Sequence, residues 1–178
     1  MTNKIIIAGF GGQGIILSGL LLAYSAMMEG KEVTHFPSYG AEMRGGTCNC
    51  SVVISDEKIA SPLVSSPDIC LIFNQPSKKK FENRCQKNGL LLLNSSLIDE
   101  ECKRDDINSV YIDATNTASE MGNLKVANMI MLGAFIKKTN IISKETLIAA
   151  LPKAISARNQ SLIEINIQAI DKGYESIS

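Results

Sequence analysis

The chain has 178 residues, 45% of them apolar and 20% charged, and its formal net charge is zero. That length favours a single domain over residues 1–178 with room for a real core, and the charge balance offers neither a basic stripe for nucleic acid nor an acidic tail. No run of about eighteen apolar residues crosses a membrane, and the opening Met1-Thr2-Asn3-Lys4 leads into an apolar run too short for a signal-peptide core, so the expected compartment is the cytoplasm.

Ile5-Ile6-Ile7-Ala8 predicts a first strand over about 4–8. Gly9-Phe10-Gly11-Gly12-Gln13-Gly14 follows, in the spacing G-x-G-x-x-G, and a helix is expected from about Gly12 to Met28. Its inner face carries Ile15, Leu17, Leu21, Leu22 and Ala26, and Gly30 stands where helices end. Glu32 to Phe36 predicts a second strand, and Pro37 to Gly46 a loop. Cys48 to Ser55 alternates like a half-buried strand, and Lys58 to Val64 is expected to pair with it as a hairpin around Ser55-Asp56-Glu57.

Ile69 to Phe73 predicts a buried strand, Gln75 to Lys87 a helix, and Leu90 to Asn94 a second buried strand. In the helix, Lys78-Lys79-Lys80 reads as a solvated face. A short strand is expected near Val110–Ile112. Thr117-Ala118-Ser119-Glu120 has the spacing of a capping box, cut short by Gly122. Asn123 is the expected cap of a buried helix over about Lys125–Lys138. Further helices are expected over Lys144–Leu151 and Ser161–Gly173. Strands alternating with helices predict an α/β, Rossmann-like fold: a mostly parallel sheet with helices on both faces and an inserted β-hairpin.

The five cysteines are Cys48, Cys50, Cys70, Cys85 and Cys102, and no Cys-x-x-Cys occurs. The odd count argues against a disulfide framework, and the spacing is not that of an iron–sulfur cluster. Cys48 and Cys50 share one face of a strand, as buried small side chains rather than metal ligands. His35, the single histidine, has no carboxylate or cysteine beside it in sequence that would favour catalysis. Neither a catalytic residue nor a metal ligand is assigned.

The glycine turn allows backbone N–H groups to gather around an anion at a helix N-terminus. Its alternative is a turn that only lets strand and helix pack closely. A dinucleotide fold would end its second strand with Asp or Glu for the ribose 2′-hydroxyl. Thr34-His35-Phe36-Pro37-Ser38 offers none, which weakens an NAD(P) reading. The loop Ser38 to Thr47 is expected at the same carboxyl edge. There Arg44 would reach a phosphate or carboxylate near the glycine turn, with Gly45 and Gly46 giving close access. Its alternative is a Glu42–Arg44 surface pair. Asn128, alone in an apolar helix, reads as a structural brace before a ligand contact.

Three ordered motifs now stand together: Gly9 to Gly14, Pro37 to Thr47, and Val126-Ala127-Asn128-Met129-Ile130-Met131-Leu132-Gly133-Ala134. The chain resembles the gamma subunits of 2-oxoacid:ferredoxin oxidoreductases over essentially its whole length. Phe10 and the Tyr39–Gly46 loop look most like the 2-oxoglutarate:acceptor oxidoreductase branch. The resemblance implies a non-catalytic subunit of a complex converting 2-oxoglutarate, coenzyme A and an oxidised acceptor into succinyl-CoA, CO2 and reduced acceptor. Thiamine diphosphate and [4Fe-4S] clusters would lie in alpha, beta and delta partner subunits, with ferredoxin or flavodoxin as acceptor. In this chain, Gly9, Gly11, Gly12, Gln13 and Gly14, with Arg44, Gly45 and Gly46, become the candidates for coenzyme A. Alternatives are a gamma subunit for a branched-chain 2-oxoacid or pyruvate, or an assembly module without ligand. The isolated chain is expected to be inactive.

Overall fold

The computed structural model describes residues 1–38 and 47–177. Its centre is a six-stranded sheet in the order β2-β3-β1-β4-β5-β6. The strands are β1 (Thr2–Phe10), β2 (Glu32–Ser38), β3 (Thr47–Ser55), β4 (Ile69–Ile72), β5 (Leu90–Asn94) and β6 (Asn108–Ile112). Strands β1, β4, β5 and β6 run parallel, while β3 is antiparallel to both β1 and β2. The middle strands are apolar on both faces because both faces are covered. Ile5 and Ile7 point one way, Ile6 and Ala8 the other, and all are buried. Each such isoleucine contributes roughly 2 kcal/mol by leaving water.

The helices are α1 (Ile15–Met28), α2 (Gln75–Phe81), α3 (Ala114–Glu120), α4 (Ala127–Thr139), α5 (Lys144–Ala154) and α6 (Ile163–Glu175). Helix α1 and helices α3 to α6 share a core with one face of the sheet. On the other face, α2 and segments around Ile59, Val64, Ile98 and Ile107 close a smaller core. Helix α1 ends as the sequence suggests. Gly30 has φ +73°, its N–H donates to Met27 O, and the Lys31 N–H donates to Ala26 O. Helices α4 and α6 meet where Gly133 faces the Ile170 carbonyl and Gly173 the Ile130 carbonyl; a Cβ on either would overlap the opposing backbone.

The α/β architecture agrees with expectation, but the antiparallel hairpin lies elsewhere. Residues 58–64 form no strand. Strand β3 has β1 on one edge and β2 on the other, so no edge is left for them. Ile59 and Val64 tuck beneath the sheet, and the Pro62 carbonyl accepts from Ser51 Oγ at 3.0 Å. The hairpin is β2–β3. Helix α3 starts three residues before the expected capping box: Thr117 lies inside it, its Oγ1 donating to Asp113 O at 2.7 Å. Asn123 does cap, accepting the Lys125 N–H at 3.1 Å at a 3₁₀ turn that leads into α4.

Lys78 departs furthest from expectation. Only 1% of it is exposed. Its ammonium lies 2.7 Å from Glu82 Oε2 and donates to Glu101 O at 2.8 Å. A run of lysines spans more than one side of a helix, and here only Lys79 and Lys80 face solvent.

Candidate functional site at the carboxyl edge

Strand β1 delivers the chain at Phe10 into a turn over Gly11–Gly14, and Gly14 is the N-cap of α1 with φ +74°. No side chain caps this end, and no acidic residue occupies the first turn. The first N–H groups of a fourteen-residue helix therefore face outward with the positive end of its dipole, the setting in which anions bind. Gly12 is exposed at φ +98°, and a Cβ there would meet nothing within 4 Å. The turn is open on the side where a ligand would approach.

The other turn residues build the frame. Gln13 Oε1 accepts the Phe10 N–H at 2.6 Å, so this side chain braces its own turn. Gly9 leaves room for it: a Cβ there would fall 2.6 Å from Gln13 Oε1 and 2.8 Å from Phe73 Cβ. Asn128 holds the turn from below, 2% exposed, with Nδ2 at 3.4 Å from both Gly14 O and Ser18 Oγ. Ser18 Oγ itself donates to Gly14 O at 2.9 Å. A Cβ on Gly14 would lie 2.5 Å from Asn128 Nδ2. The brace expected from the lone asparagine in an apolar helix is therefore found, and its partner is the glycine turn. Gly9, Gly11, Gly12, Gln13 and Gly14 form one unit, with Gly12 its outward-facing member.

Arg44, Gly45 and Gly46 lie outside the described residues. Their flanks are placed: Thr47 pairs with Phe10, and Ser38 with Asn49. The chain thus leaves β2 and enters β3 at the same edge as the glycine turn. Because β3 separates β2 from β1, the end of β2 stands one strand farther from the turn than in a dinucleotide fold. This displacement, added to the missing carboxylate, removes the geometry for a ribose 2′-hydroxyl contact.

Sequence reasoning missed the other side of the turn. A crevice of about 240 Å³ opens there at the ends of β1, β4 and β5, between Gly12 and Gln13 on one wall and Leu97, Leu124 and Lys125 on the other. Phe73, Asn94 and Thr115 lie at its base. The connection leaving β1 runs through α1 toward β2, and the connection leaving the neighbouring β4 runs through α2 the opposite way to β5, so this is a topological switch point, where open α/β sheets bind ligands. A signal was present: the apolar runs of β4 and β5 each end at an asparagine, Asn74 and Asn94. Asn74 caps α2 through the Ser77 N–H at 2.9 Å. Asn94 Nδ2 donates to Thr115 Oγ1 at 2.8 Å.

Among the described residues, the edge lacks a nucleophile with a base. Ser96 Oγ donates to Asp113 Oδ1 at 2.5 Å but also accepts the Thr115 and Asn116 N–H groups, so the pair caps α3. His35 is half-buried against α1, where a Cβ on Gly19 would meet its Nε2 at 2.7 Å. Burial pushes its pKa down. Burial pushes the Cys50 thiol up to about 12 and raises that of Cys48 as well. All five cysteines are free. Among the described residues, no three His, Cys, Asp or Glu side chains gather as a metal site, and no helix is long and apolar enough to cross a membrane.

The family described as pyruvate ferredoxin/flavodoxin oxidoreductase matches residues 4–176. This chain belongs to that family. It is similar to the 2-oxoglutarate synthase subunit KorC of Methanocaldococcus jannaschii, 38% identical, with 98% of this chain and 94% of the relative covered. The keto/oxoacid ferredoxin oxidoreductase gamma subunit of Geobacter sulfurreducens superposes with a TM-score of 0.86 at 29% identity, covering 98% of this chain and 95% of that one. A 2-oxoglutarate:ferredoxin oxidoreductase from Magnetococcus marinus, solved with 2-oxoglutarate, coenzyme A and succinyl-CoA bound, gives a TM-score of 0.89 at 27% identity. There the match covers 99% of this chain but 32% of the other. Likewise, the chain spans about a third (36%) of the ketoisovalerate oxidoreductase subunits it matches. The same fold therefore occurs both as a separate chain and as part of a longer one.

Proposed function

We propose that this chain is the gamma-type subunit of a cytoplasmic 2-oxoglutarate:acceptor oxidoreductase and that its glycine turn holds the diphosphate of coenzyme A. The assembled enzyme would make succinyl-CoA and CO2 from 2-oxoglutarate, passing two electrons to ferredoxin or flavodoxin. Thiamine diphosphate and [4Fe-4S] clusters would belong to alpha, beta and delta partners. The chain's own residues fit this division. Among the described residues there is no acid–base pair at the carboxyl edge, but there is an uncapped helix start beside an open crevice.

One observation carries the coenzyme A reading: Gly12 is exposed at φ +98° with open space before it, at the N-terminus of a helix bearing no acidic residue in its first turn. The turn supplies position rather than chemistry. Its N–H groups would fix the diphosphate, so that the thiol at the far end of a long flexible carrier is delivered to a reaction performed by other chains.

Gly12→Asp and Gly12→Asn impose the same bulk and the same backbone cost but differ in charge. In the reconstituted complex, Gly12→Asp should raise the KM for coenzyme A about tenfold or more beyond Gly12→Asn, because the carboxylate competes for the same N–H groups. Equal coenzyme A kinetics for the two variants would overturn the anion site. A turn that only packs against a partner predicts instead that both variants lose co-purification to the same degree.

A further inference from the structure

The two edges of the sheet are finished differently. Strand β2 starts at Glu32 and carries Pro37, a charge and a missing N–H of the kind that keep an edge from pairing. Strand β6 reads Asn108-Ser109-Val110-Tyr111-Ile112, with neither charge nor proline. Nothing among the described residues pairs with its outer side. The Asn108 N–H donates to Gly89 O at 2.8 Å and the Ser95 N–H to Ile112 O at 2.9 Å. In a parallel ladder this commits the backbone groups of residues 108, 110 and 112 to β5, so those of Ser109 and Tyr111 point outward. A bare edge of this kind is a template for another strand.

We propose that β6 pairs antiparallel with β6 of a second copy of this chain, about a two-fold axis at Val110, so that one sheet runs through both copies. The proposal goes beyond the coenzyme A reading and does not depend on it. The register follows from which groups are free. Ser109 of each copy faces Tyr111 of the other and exchanges both N–H···O bonds with it. Val110 then opposes Val110 as the close pair, with Cα atoms about 4.5 Å apart. Only this register sets both outward residues of each strand against each other, and it brings two β-branched side chains together with no like charges opposed. The ends of the strand agree with it. Val110 and Ile112 face the larger core, as does α3, which follows them. Near Asn108 on the same strand a hollow of about 520 Å³ opens toward Lys138 at the end of α4. The two-fold turns the start of α3 in one copy toward this hollow in the other, and Lys138 meets Asp113. Both residues are exposed, and neither has an ion-pair partner among the described residues.

Sedimentation of the full chain should show a monomer–dimer equilibrium with a dissociation constant on the order of tens of micromolar, since an interface built on one strand is small. Ser109→Pro removes an outward N–H and spares the ladder to β5, so it should leave the chain folded and monomeric over the same range. Lys138→Glu should weaken the dimer about tenfold, and high salt should narrow its difference from wild type. Val110→Cys should yield a disulfide-linked dimer on mild oxidation, above the background that the native cysteines give in the wild type, whereas Ser109→Cys, which faces Tyr111, should not. Should Ser109→Pro fail to fold, Lys138→Glu and Val110→Cys decide the matter. The proposal is overturned by a chain that stays monomeric at about ten times that concentration, by a dimer indifferent to both Ser109→Pro and Lys138→Glu, or by cross-linking at Ser109 rather than Val110. It is also overturned if hydrogen exchange finds the Ser109 and Tyr111 amides protected only in the complete enzyme complex, which would give this edge to a strand of another subunit.

Discussion

The two faces of the sheet are closed by different physics. On one, helices α1, α3, α4, α5 and α6 bring a large apolar core against Ile5, Ile7, Val52, Ile54, Leu71 and Leu92. On the other, a single short helix and irregular segments cover Ile6, Ala8, Val53, Cys70 and Leu93. The polar groups of that cover are tied to one another. Glu82 Oε1 accepts the Lys103 N–H at 2.7 Å while its Oε2 pairs with Lys78. Arg104 donates to the carbonyls of Glu82 and Cys85 and pairs with Asp106 at 2.7 Å. Arg84 donates to Val64 O at 2.9 Å. The first face is held by shape and the second by directed bonds, because loops cannot bury their backbone without partners.

Shape should fail most abruptly where backbones touch. Gly173→Ala places a methyl group onto the Ile130 carbonyl, so α6 must lift from α4. A loss of at least about 3 kcal/mol in chemical denaturation is expected. Ile170→Val, one turn away and fully buried, removes a single methylene and should cost about 1 kcal/mol. Comparable losses for the two would mean that α6 slides to relieve the contact.

The second face should fail through charge. Lys78→Met leaves the Glu82 carboxylate buried without its cation, at a cost of about 3 kcal/mol. Burial alone would push the Glu82 carboxyl up, but hydrogen bonds from Lys78 and the Lys103 N–H, with the Lys78 charge, hold it below its ordinary 4.5. A carboxyl depressed in the folded state adds stability above its unfolded pKa and loses it as the pH falls through the folded value. The gap between wild type and Lys78→Met should therefore be full at neutral pH and narrow below about 4.5, as acid denaturation curves would show. A gap independent of pH would leave packing of the lysine stem, not charge, as the cause.

These faces were not equally legible. The first is written as periodicity: Ile15, Leu21, Leu22 and Ala26 recur on one side of α1, and the apolar run over 129–136 makes α4 buried. Asn128 could be read because a lone amide in such a run needs partners, and the glycine turn could be read from its spacing. The second face has no period. Residues 58–64 follow the turn-like Ser55-Asp56-Glu57, which suggests a hairpin partner for the strand before it, and the competition for the edges of β3 that excludes them is a tertiary fact. Lys78 reads as solvated because its burial depends on Glu82 and Glu101, joined only when the segment after β5 folds back. The crevice escaped for the same reason. Phe73, Leu97 and Leu124 come from three separate connections that meet only at the carboxyl edge.

The glycine turn stands between these regimes, and its own glycines separate them. Gly12 and Gly14 both have positive φ, at +98° and +74°, so an alanine at either carries the left-handed backbone cost of about 1–2 kcal/mol. Around Gly12 there is nothing within 4 Å, whereas a Cβ on Gly14 would stand 2.5 Å from Asn128 Nδ2. Gly14→Ala should thus cost about 1 kcal/mol more than Gly12→Ala. That excess should couple to Asn128→Ala, because shortening the asparagine vacates the space the methyl group needs. A double-mutant cycle on thermal or denaturant midpoints reads the coupling directly. Coupling at Gly14 with none at Gly12 would show that α4 braces the turn from below and leaves its outer surface open. Equal costs and no coupling would mean that Asn128 simply swings aside, and the turn would then owe its shape to Gln13 and its own backbone.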